Sequence, residues 1–437
     1  MESHLREDPA ESEGIGLELY ALIEELYPIC RSITGDGLRK TMQILHRYVP
    51  LQIHEIATGT QVFDWTVPKE WNIRDAWVKD ARGRKVIDFQ ESNLHVVSYS
   101  VPVHETMPLE DLRAHLFTLP THPEWIPYKT SYYTENWGFC LRHRDYLELA
   151  DAEYEVHIDS SLTNGSLTYG EILLEGEEDS EVLVSCHACH PSLCNDNLSG
   201  VALAALLARQ LGAQPHRYSY RFLFIPGTIG AITWLALNER RTSNIKHGLV
   251  LAGLGDPGPL TYKKSRRGCC DIDRAASYIL ERAGQAGGIL DFDPYGYDER
   301  QYCSPGFDLP VGRLSRTPYA TYPEYHTSAD NLSFVSPDQL GESYRTVVKL
   351  FGVLEHNRKH VNTNPKCEPQ LGRRGLYSSP GPSEQALLWV LNYSDGTRDL
   401  LDIAELSGLG FTRVHEAAER LLEAGLLHLH TRQRVER

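Results

Sequence analysis

The chain has 437 residues, 41% of them hydrophobic, which is enough for a large core and too long for one ordinary domain. Its net charge of −16 argues against binding nucleic acid or an anionic membrane through the overall field of the protein. No run of 18 apolar residues is present, so we expect no membrane-spanning segment, and the polar N-terminus is unlike a secretory signal.

In chain order, apolar residues at helical spacing predict helices at 16–27 and 38–48, followed by a strand at 51–56. Residues 59–160 have a different texture, rich in Trp, Tyr, Pro and His with short alternating runs. Because a structureless loop of this length is very unusual in a compact protein, we predict a β-rich domain inserted at 59–160.

Strands and helices alternate again from residue 166 onwards. The predicted strands are at 167–174, 182–186, 218–225 and 247–251, and the predicted helices at 198–211, 229–237, 271–286 and 336–357. This alternation indicates a mixed, mainly parallel sheet covered by helices on both faces. We therefore predict an α/β domain built from residues 14–58 and 161–370.

Residues 383–437 are predicted to form a winged helix-turn-helix, with helices at 383–393, 399–407 and 412–424. DNA binding through the third helix would require a basic surface. This helix instead carries three glutamates beside two arginines. The sequence therefore favours a packing or dimerisation module, and pairing into a homo-oligomer through this module is compatible with it.

The nine cysteines are odd in number and irregularly spaced, and two of them are adjacent. This pattern favours free thiols over a disulfide framework, so we expect a cytoplasmic protein. Cys186, Cys189 and Cys194 lie close to two histidines, but no second Cys-x-x-Cys pair is present to complete a structural zinc site. Packing below a strand end is the favoured role of these cysteines.

The most informative stretch follows the predicted strand at 182–186 and reads Cys186-His-Ala-Cys-His-Pro-Ser-Leu-Cys-Asn-Asp-Asn-Leu-Ser-Gly200. A strand that ends near His187 and turns at Pro191 towards Asp196 brings an imidazole and a carboxylate together. They would meet at the edge of the sheet, where ligands bind in open α/β folds. Neutral imidazole with carboxylate is a ligand pair suited to zinc.

Three later segments offer side chains that could join this site, and each lies in a loop beside a strand or helix, where catalytic residues are often placed. The first contains Asp298, the second contains Glu324, His326 and Asp330, and the third follows the strand at 218–225 as Pro226-Gly-Thr228.

The order of His187, Asp196 in Asn-Asp-Asn-Leu-Ser-Gly, Asp298, and His326 in Tyr-His-Thr resembles the co-catalytic zinc aminopeptidases of the phosphorylase/hydrolase-type fold. The chain is more similar still to a bacterial branch of aminopeptidase-like proteins often encoded near polysaccharide or natural-product genes. That branch shares the Cys-His-Pro-Ser and Pro-Glu-Tyr-His-Thr-Ser-Ala-Asp-Asn-Leu strings, an inserted β domain and a C-terminal winged helix. The resemblance covers nearly the whole chain.

The resemblance implies that Asp196 binds one metal or bridges two, that His326 binds a metal and that Asp298 is the carboxylate of the second site. The first histidine ligand stays open between His187, at the strand end, and His190, in the Cys-His-Pro-Ser string. A bridged pair of zinc ions would hold a hydroxide and polarise the scissile carbonyl.

The chain departs from the family pattern after the strand at 218–225, where Gly227 stands in place of an expected Glu. Cys189 likewise replaces an Asp that orients the first histidine. General-base catalysis typically contributes about 10²–10⁴-fold, so the loss of this Glu should slow hydrolysis greatly. Three explanations remain open: Glu324 or Glu299 acts as the base, the protein performs a different amide or acyl reaction, or the chain is a disabled variant.

The sequence thus predicts a zinc-dependent, aminopeptidase-like amide hydrolase with one or two zinc ions. Its substrate would be a small aminoacyl or peptidyl compound, with a place in a biosynthetic pathway. The alternative is a non-catalytic or repurposed binding protein of the same fold.

Overall fold

The computed structural model describes residues 9–284, 287–377 and 382–430, with side chains from residue 14 onwards. The chain divides into two compact units, a larger one that ends at Thr346 and a smaller one that begins at Val347. Within the described ranges, no helix is both long and apolar enough to cross a membrane.

The α-helices of the described residues are α1 (Pro9–Leu26), α2 (Asp36–Leu45), α3 (Leu109–Leu112), α4 (His143–Leu147), α5 (Ser199–Gly212), α6 (Ile229–Asn238), α7 (Asp271–Arg282), α8 (Glu299–Tyr302), α9 (Pro337–His356), α10 (Glu384–Tyr393), α11 (Leu400–Ser407) and α12 (Phe411–Glu423). Short 3-10 or π turns lie at Asn93–His95, Arg113–His115, Cys194–Leu198, Glu239–Asn244 and Gly372–Arg374.

The strands are β1 (Gln52–Ala57), β2 (Gln61–Val62), β3 (Trp65–Thr66), β4 (Glu70–Lys79), β5 (Lys85–Asp88), β6 (Val103–Pro108), β7 (Leu116–Phe117), β8 (Phe139–Cys140), β9 (Glu153–Thr163), β10 (Ser166–Leu174), β11 (Glu178–His187), β12 (Tyr218–Ile225), β13 (Ile245–Leu251), β14 (Thr261–Lys263), β15 (Gly288–Leu290), β16 (Val311–Ser315), β17 (Lys359–Asn362), β18 (Asp395–Asp399) and β19 (Leu427–Leu429).

Eight strands of the larger unit form one mixed sheet in the order β1-β10-β12-β11-β13-β16-β14-β15. The central strands β12, β11, β13 and β16 run parallel to one another. On one side β1 and β10 join antiparallel, and on the other side β14 pairs antiparallel with β16. The predicted α/β fold class with a mixed, mainly parallel sheet is confirmed.

The differences from the predicted elements lie at the margin of this sheet. The sequence did not indicate β14, β15 or β16, which have only three to five residues each. Helix α7 ends at Arg282, and the last two residues of the helix predicted at 271–286 lie outside the described residues.

The central strands are buried because helices cover the parallel part of the sheet. In β11, Val182, Leu183 and Val184 are fully buried, and α5 is buried along residues 199–208. Continuous apolar runs, rather than alternating ones, therefore mark β11 and β12 in the sequence. The consequence for function is that the ends of these strands are held by a rigid core.

The β-rich segment has its own four-stranded antiparallel sheet, in the order β5-β4-β9-β6. Its core includes Val78, Leu112, Phe139 and Val156. Strand β9 continues past residue 160 to Thr163, and the segment falls within the same compact unit as the large sheet. The domain boundaries at 59–160 therefore stay a prediction.

The smaller unit is a winged helix-turn-helix in outline, with helices α10, α11 and α12 and a sheet in the order β18-β17-β19. Its central strand, β17, lies upstream of the predicted start at residue 383, because short polar strands carry little signal in a sequence. The last seven residues of the predicted 383–437 lie outside the described residues.

A buried ion network joins three strands of the large sheet. The Arg221 guanidinium on β12 donates to both carboxylate oxygens of Glu181 on β11, at 2.6 and 2.8 Å, and also contacts Glu171 on β10. Arg221→Met would leave two carboxylates buried without their partner. We expect a loss of about 3–5 kcal/mol in the free energy of unfolding, measured by urea denaturation.

The matched control is Arg74→Met, because Arg74 pairs with Asp159 at an exposed position. Its expected loss is below about 1 kcal/mol. Equal effects of the two substitutions would show that the buried network does not stabilise the sheet.

The smaller unit should lose stability in mild acid because of two histidines, the buried His360 and the half-buried His415. Burial lowers the pKa of His360 and of His415 to about 4. An unfolded histidine titrates near 6.5, so between about pH 6.5 and pH 4 the unfolded state binds more protons than the folded state. The free energy of unfolding therefore has its full value above about pH 6.5 and decreases as the pH falls towards 4. Amide hydrogen exchange of β17, measured at pH 7.5 and pH 5, should give a lower free energy of opening at pH 5. His415→Gln should reduce the difference between the two free energies. If that difference is unchanged, His415 is excluded as a cause.

Candidate metal centre

The carboxyl ends of the central parallel strands meet at one edge of the large sheet. Strand β11 ends at His187, and β12 ends two residues before Gly227. A cavity of about 410 Å³ opens over this edge. Its walls include three histidines, an aspartate, an arginine and five tyrosines: His187, His190, His326, Asp298, Arg300, Tyr128, Tyr132, Tyr133, Tyr297 and Tyr325.

The Asp196 carboxylate is fully buried and lies among three imidazoles. Its Oδ1 is 2.7 Å from Nε2 of His187. Its Oδ2 is 3.0 Å from Nε2 of His326 and 3.8 Å from Nε2 of His190. The two oxygens of Asp196 therefore face different histidines, and His187 and His190 both belong to the cluster.

The ionisation states of this cluster suit metal binding. Burial alone would raise the pKa of Asp196, but the neighbouring His190 and His187 hold it well below its ordinary value. Burial lowers the pKa of His190 to about 3, so this imidazole is neutral at neutral pH. Burial acts in the same direction on His187, but Asp196 reverses it and raises the pKa. A metal would therefore meet a carboxylate and at least one unprotonated imidazole.

Asp330 fixes the backbone that carries Asp196. Its Oδ1 accepts a hydrogen bond from the backbone N–H of Asn195 at 2.6 Å, and its Oδ2 accepts one from the N–H of Asp196 at 2.9 Å. Burial raises the pKa of Asp330 to about 7, although these two hydrogen bonds oppose the shift. The Asp330 side chain thus sets the position of Asp196 without facing the histidines itself.

Two segments that are far away in the sequence donate hydrogen bonds to the backbone carbonyl oxygens of His190 and His326. The buried Arg31 donates from Nε to the carbonyl of His190 at 2.9 Å. The backbone N–H of Tyr128, in the β-rich segment, donates to the carbonyl of His326 at 2.8 Å. His326 has a φ of 56°, in the left-handed region, so its loop depends on such contacts.

Each imidazole also packs against a tyrosine ring. His187 stacks on Tyr297 with the ring centroids 4.9 Å apart, and His326 stacks on Tyr325 at 3.9 Å. Tyr128 contacts both His190 and His326 at 5.2 Å. Aromatic packing therefore helps to fix the orientation of all three rings.

Asp298 lies beside this cluster, immediately before α8. Its Oδ1 accepts a hydrogen bond from the backbone N–H of Thr228 at 2.7 Å. Burial raises the pKa of Asp298 to about 6, and the nearby His187 opposes the shift. Asp298 thus lies near His187, outside the group formed by His187, His190 and Asp196 whose ligand atoms are within 4.8 Å of one another.

Gly227 forms part of the cavity wall and leaves room for a side chain. A Cβ added there would lie 3.6 Å from Cβ of His187 and 3.7 Å from Sγ of Cys189, which are ordinary contact distances. The Gly227 N–H donates to Sγ of Cys189 at 3.3 Å, and burial raises the pKa of this thiol to about 12. Cys189 is therefore a neutral thiol that packs under the wall.

Glu299 and Glu324, the two predicted substitute bases, are not among the described residues that line the cavity over the histidines. Glu299 is fully buried and pairs with Nζ of Lys263 at 3.0 Å. Glu324 is partly exposed in the loop before His326 and is not among the residues that line the cavity. The geometry does not favour either as a base, and their roles stay predictions.

The donor set at Asp196 fits zinc. One ligand atom each of His187, His190 and Asp196 lies within 4.8 Å of the others. Two ligands of a tetrahedral zinc ion, each about 2.1 Å from it, lie roughly 3.4 Å apart. The nitrogen–oxygen distances of 2.7, 3.0 and 3.8 Å lie on both sides of this value. Small side-chain shifts would therefore bring these atoms to coordination distance.

Several residues of the site carried no usable signal in the sequence. Arg31 and Tyr128 act on histidines far away along the chain. In the sequence, Asp330 is one of several polar residues of its loop, and nothing indicates its role. The tyrosine-rich loops around 297 and 325 were visible as composition, but a composition does not identify which rings pack on histidines.

Comparison with known proteins relates most of the chain to one family and its remainder to another. Residues 20–357 match the family described as "Domain of unknown function (DUF4910)". Residues 358–429 match the winged helix-turn-helix family HTH_47.

A curated protein of Clostridium acetobutylicum, named as a candidate polysaccharide biosynthesis protein with an aminopeptidase-like domain, is 53% identical over 96% of this chain and 98% of its own length. A crystal structure from C. acetobutylicum, described as a candidate peptidase, has a TM-score of 0.93 and 53% identity, and covers 96% of this chain and 98% of that one.

A zinc aminopeptidase from Bacillus subtilis has a TM-score of 0.56 at 13% identity and covers 77% of this chain and 94% of its own. This likeness shows the fold of the zinc aminopeptidases.

Asp330→Asn tests how the backbone around Asp196 is held. The amide can accept only through its one oxygen, so one backbone N–H would face an NH₂ group. Groups that orient a metal ligand typically contribute 10–100-fold to metal affinity, and we expect a loss of about that size. Competition with a chromogenic zinc chelator measures it. Ser333→Ala, at an exposed site of the same loop, is the control; equal zinc affinity in both variants would contradict the role given to Asp330.

Proposed function

Because the chain belongs to the family described as domain of unknown function DUF4910 and has the fold of the zinc aminopeptidases, we propose that it is a zinc-dependent, aminopeptidase-like amide hydrolase. Its substrate would be a small aminoacyl or peptidyl compound. The observation that carries the proposal is the buried Asp196 carboxylate, which contacts three histidines at the carboxyl ends of parallel strands.

His187, His190, Asp196, Asp298 and His326 would together hold two zinc ions. Asp196 would be the central ligand, because three histidines face its oxygens. In this arrangement His190 would supply an additional ligand, and Gly227 would supply none. The alternative is a single ion held by His187, His190 and Asp196.

Bound zinc would supply a Lewis acid for the scissile carbonyl and lower the pKa of a coordinated water. The tyrosines of the cavity add hydrogen-bond donors. Burial raises the pKa of Tyr132, Tyr297 and Tyr325 above the ordinary phenol value, so they keep their protons at neutral pH. A protonated phenol can donate to the oxyanion that develops on the carbonyl oxygen.

The proposed cellular setting follows from a named relative, from the cysteines and from the net charge. The Clostridium relative is named for polysaccharide biosynthesis, which supports a biosynthetic role. All nine cysteines are free, which supports a cytoplasmic location. A small molecule, rather than nucleic acid or a membrane, suits the cavity of about 410 Å³ and the net charge of −16.

A non-catalytic binding protein of the same fold is the second candidate. It is favoured by Gly227, because the described cavity wall offers no carboxylate apart from Asp298 to act as a general base. A carboxylate at residue 227 would speed up hydrolysis if the protein is a hydrolase and would produce none if it is a binding protein. The substitution Gly227→Glu therefore separates the two candidates.

Elemental analysis and an amidase assay test the proposal together. Zinc-reloaded protein should hold two ions per chain, His190→Gln should hold one, and Asp196→Asn should hold none. Gly227→Glu should hydrolyse aminoacyl anilides faster by about 10²-fold or more, because it restores a general base where the wall has room. Gly306→Glu, which adds the same charge in open space, is the control.

Absence of bound zinc, or zinc content unchanged by Asp196→Asn, would show that the centre is wrongly assigned. Normal zinc content with no hydrolysis by either the natural chain or Gly227→Glu would favour the binding protein.

A further inference from the structure

Arg300 stands apart from the other charged groups of the cavity. It is the only lysine or arginine among the described residues that line the cavity over the histidines. It also lines a second cavity of about 440 Å³, which shares Trp65 and Thr228 with the first. Arg300 therefore lies at the junction of two neighbouring spaces.

The hydrogen-bonding capacity of Arg300 is largely unused. Its Nη2 donates to Oγ1 of Thr228 at 3.3 Å, a long bond to a neutral acceptor. Its Nε is shielded from solvent and has no hydrogen-bond partner among the described residues. No ion pair involves this guanidinium in the part of the chain that the structure describes. A buried donor without an acceptor is costly, so the shielded Nε favours the arrival of an acceptor.

The backbone of Thr228, the residue that contacts Arg300, has unusual dihedral angles. Thr228, which accepts the Arg300 bond, has a φ of 62° and a ψ of −73°, an unusual combination for a β-branched residue. The Thr228 N–H donates to Asp298, so one residue connects the guanidinium with the metal centre. Strain of this kind persists where the surroundings fix it, and it concentrates at functional sites.

Asp298 lines the same cavity as Arg300 and already accepts a hydrogen bond. No ion pair joins it to Arg300 among the described residues. Its Oδ1 accepts from Thr228, and a metal on Asp298 would occupy the carboxylate further. The described residues thus supply Arg300 with one neutral acceptor, Thr228, and leave room for a charged acceptor from a bound molecule.

We propose that Arg300 binds a carboxylate of the substrate, so that the protein selects acidic aminoacyl or peptidyl compounds; this rests on the proposed function. A guanidinium binds a carboxylate through two parallel hydrogen bonds, which Nε and a terminal nitrogen can supply. The carboxylate belongs either to an acidic side chain or to the C-terminus of a short peptide.

Four probes distinguish the two sources. Ala-Ala and Ala-Ala amide differ only in the C-terminal carboxylate, whereas Glu-Ala amide and Gln-Ala amide differ only in the side-chain carboxylate. Affinities for zinc-loaded protein come from calorimetry, or from KM where turnover occurs. We expect the charged member of one pair to bind at least about tenfold more tightly than its neutral partner.

Three variants test the residue itself. Arg300→Gln should abolish this preference, and Arg300→Lys should keep part of it because the charge remains. Arg266→Gln is the matched control, because Arg266 lines the second cavity but pairs with Asp308 at 3.0 Å. Zinc content and melting temperature show that each variant is folded.

No preference in either pair, or a preference that persists in Arg300→Gln, would overturn the proposal. Hydrolysis without a preference would refute the role of Arg300 alone. Binding that prefers the charged probe through Arg300, without hydrolysis of any probe, would support the carboxylate site and refute the hydrolase.

Discussion

The buried charge of Asp196 is the constraint on which this molecule depends. A carboxylate that is fully shielded from water is costly unless charges or hydrogen bonds compensate it. Here three imidazoles face the carboxylate oxygens, and Asp330 holds the backbone beneath it. The end of β11, the loops that carry Asp196 and His326, and the tyrosine rings that pack on the histidines all surround this one anion. A metal cation bound among these groups would compensate the buried carboxylate further.

Much of the centre could be predicted because its parts follow local rules. His187 lies at the end of an apolar strand and Asp196 in the turn that follows, and the parallel sheet brings such ends together. The choice between His187 and His190 could not be made from the sequence, because both positions are close to the turn. In the structure both imidazoles lie near Asp196, His187 beside Oδ1 and His190 3.8 Å from Oδ2, so the metal-binding role of each stays a prediction.

The parts that could not be predicted act over long sequence distances. Arg31 contacts the carbonyl of His190 across 159 positions, and His326 contacts Asp196 across 130. Neither end of such a contact differs from an ordinary surface arginine or loop histidine in the sequence. Short strands such as β14 were missed for a related reason, because three residues show no periodicity. Only the packed fold specifies these partners.

The hydrogen bond from Tyr128 to the His326 loop has a consequence for the order of folding and metal binding. Residues of the N-terminal segment, the β-rich segment and the two later loops must all be in place before the three imidazoles can converge. Metal uptake would then be a late event, and it would report completion of the larger unit rather than assist its nucleation. Protein that is compact but incompletely assembled would be distinguishable from native protein by its failure to retain zinc, even when the two have similar size and helix content.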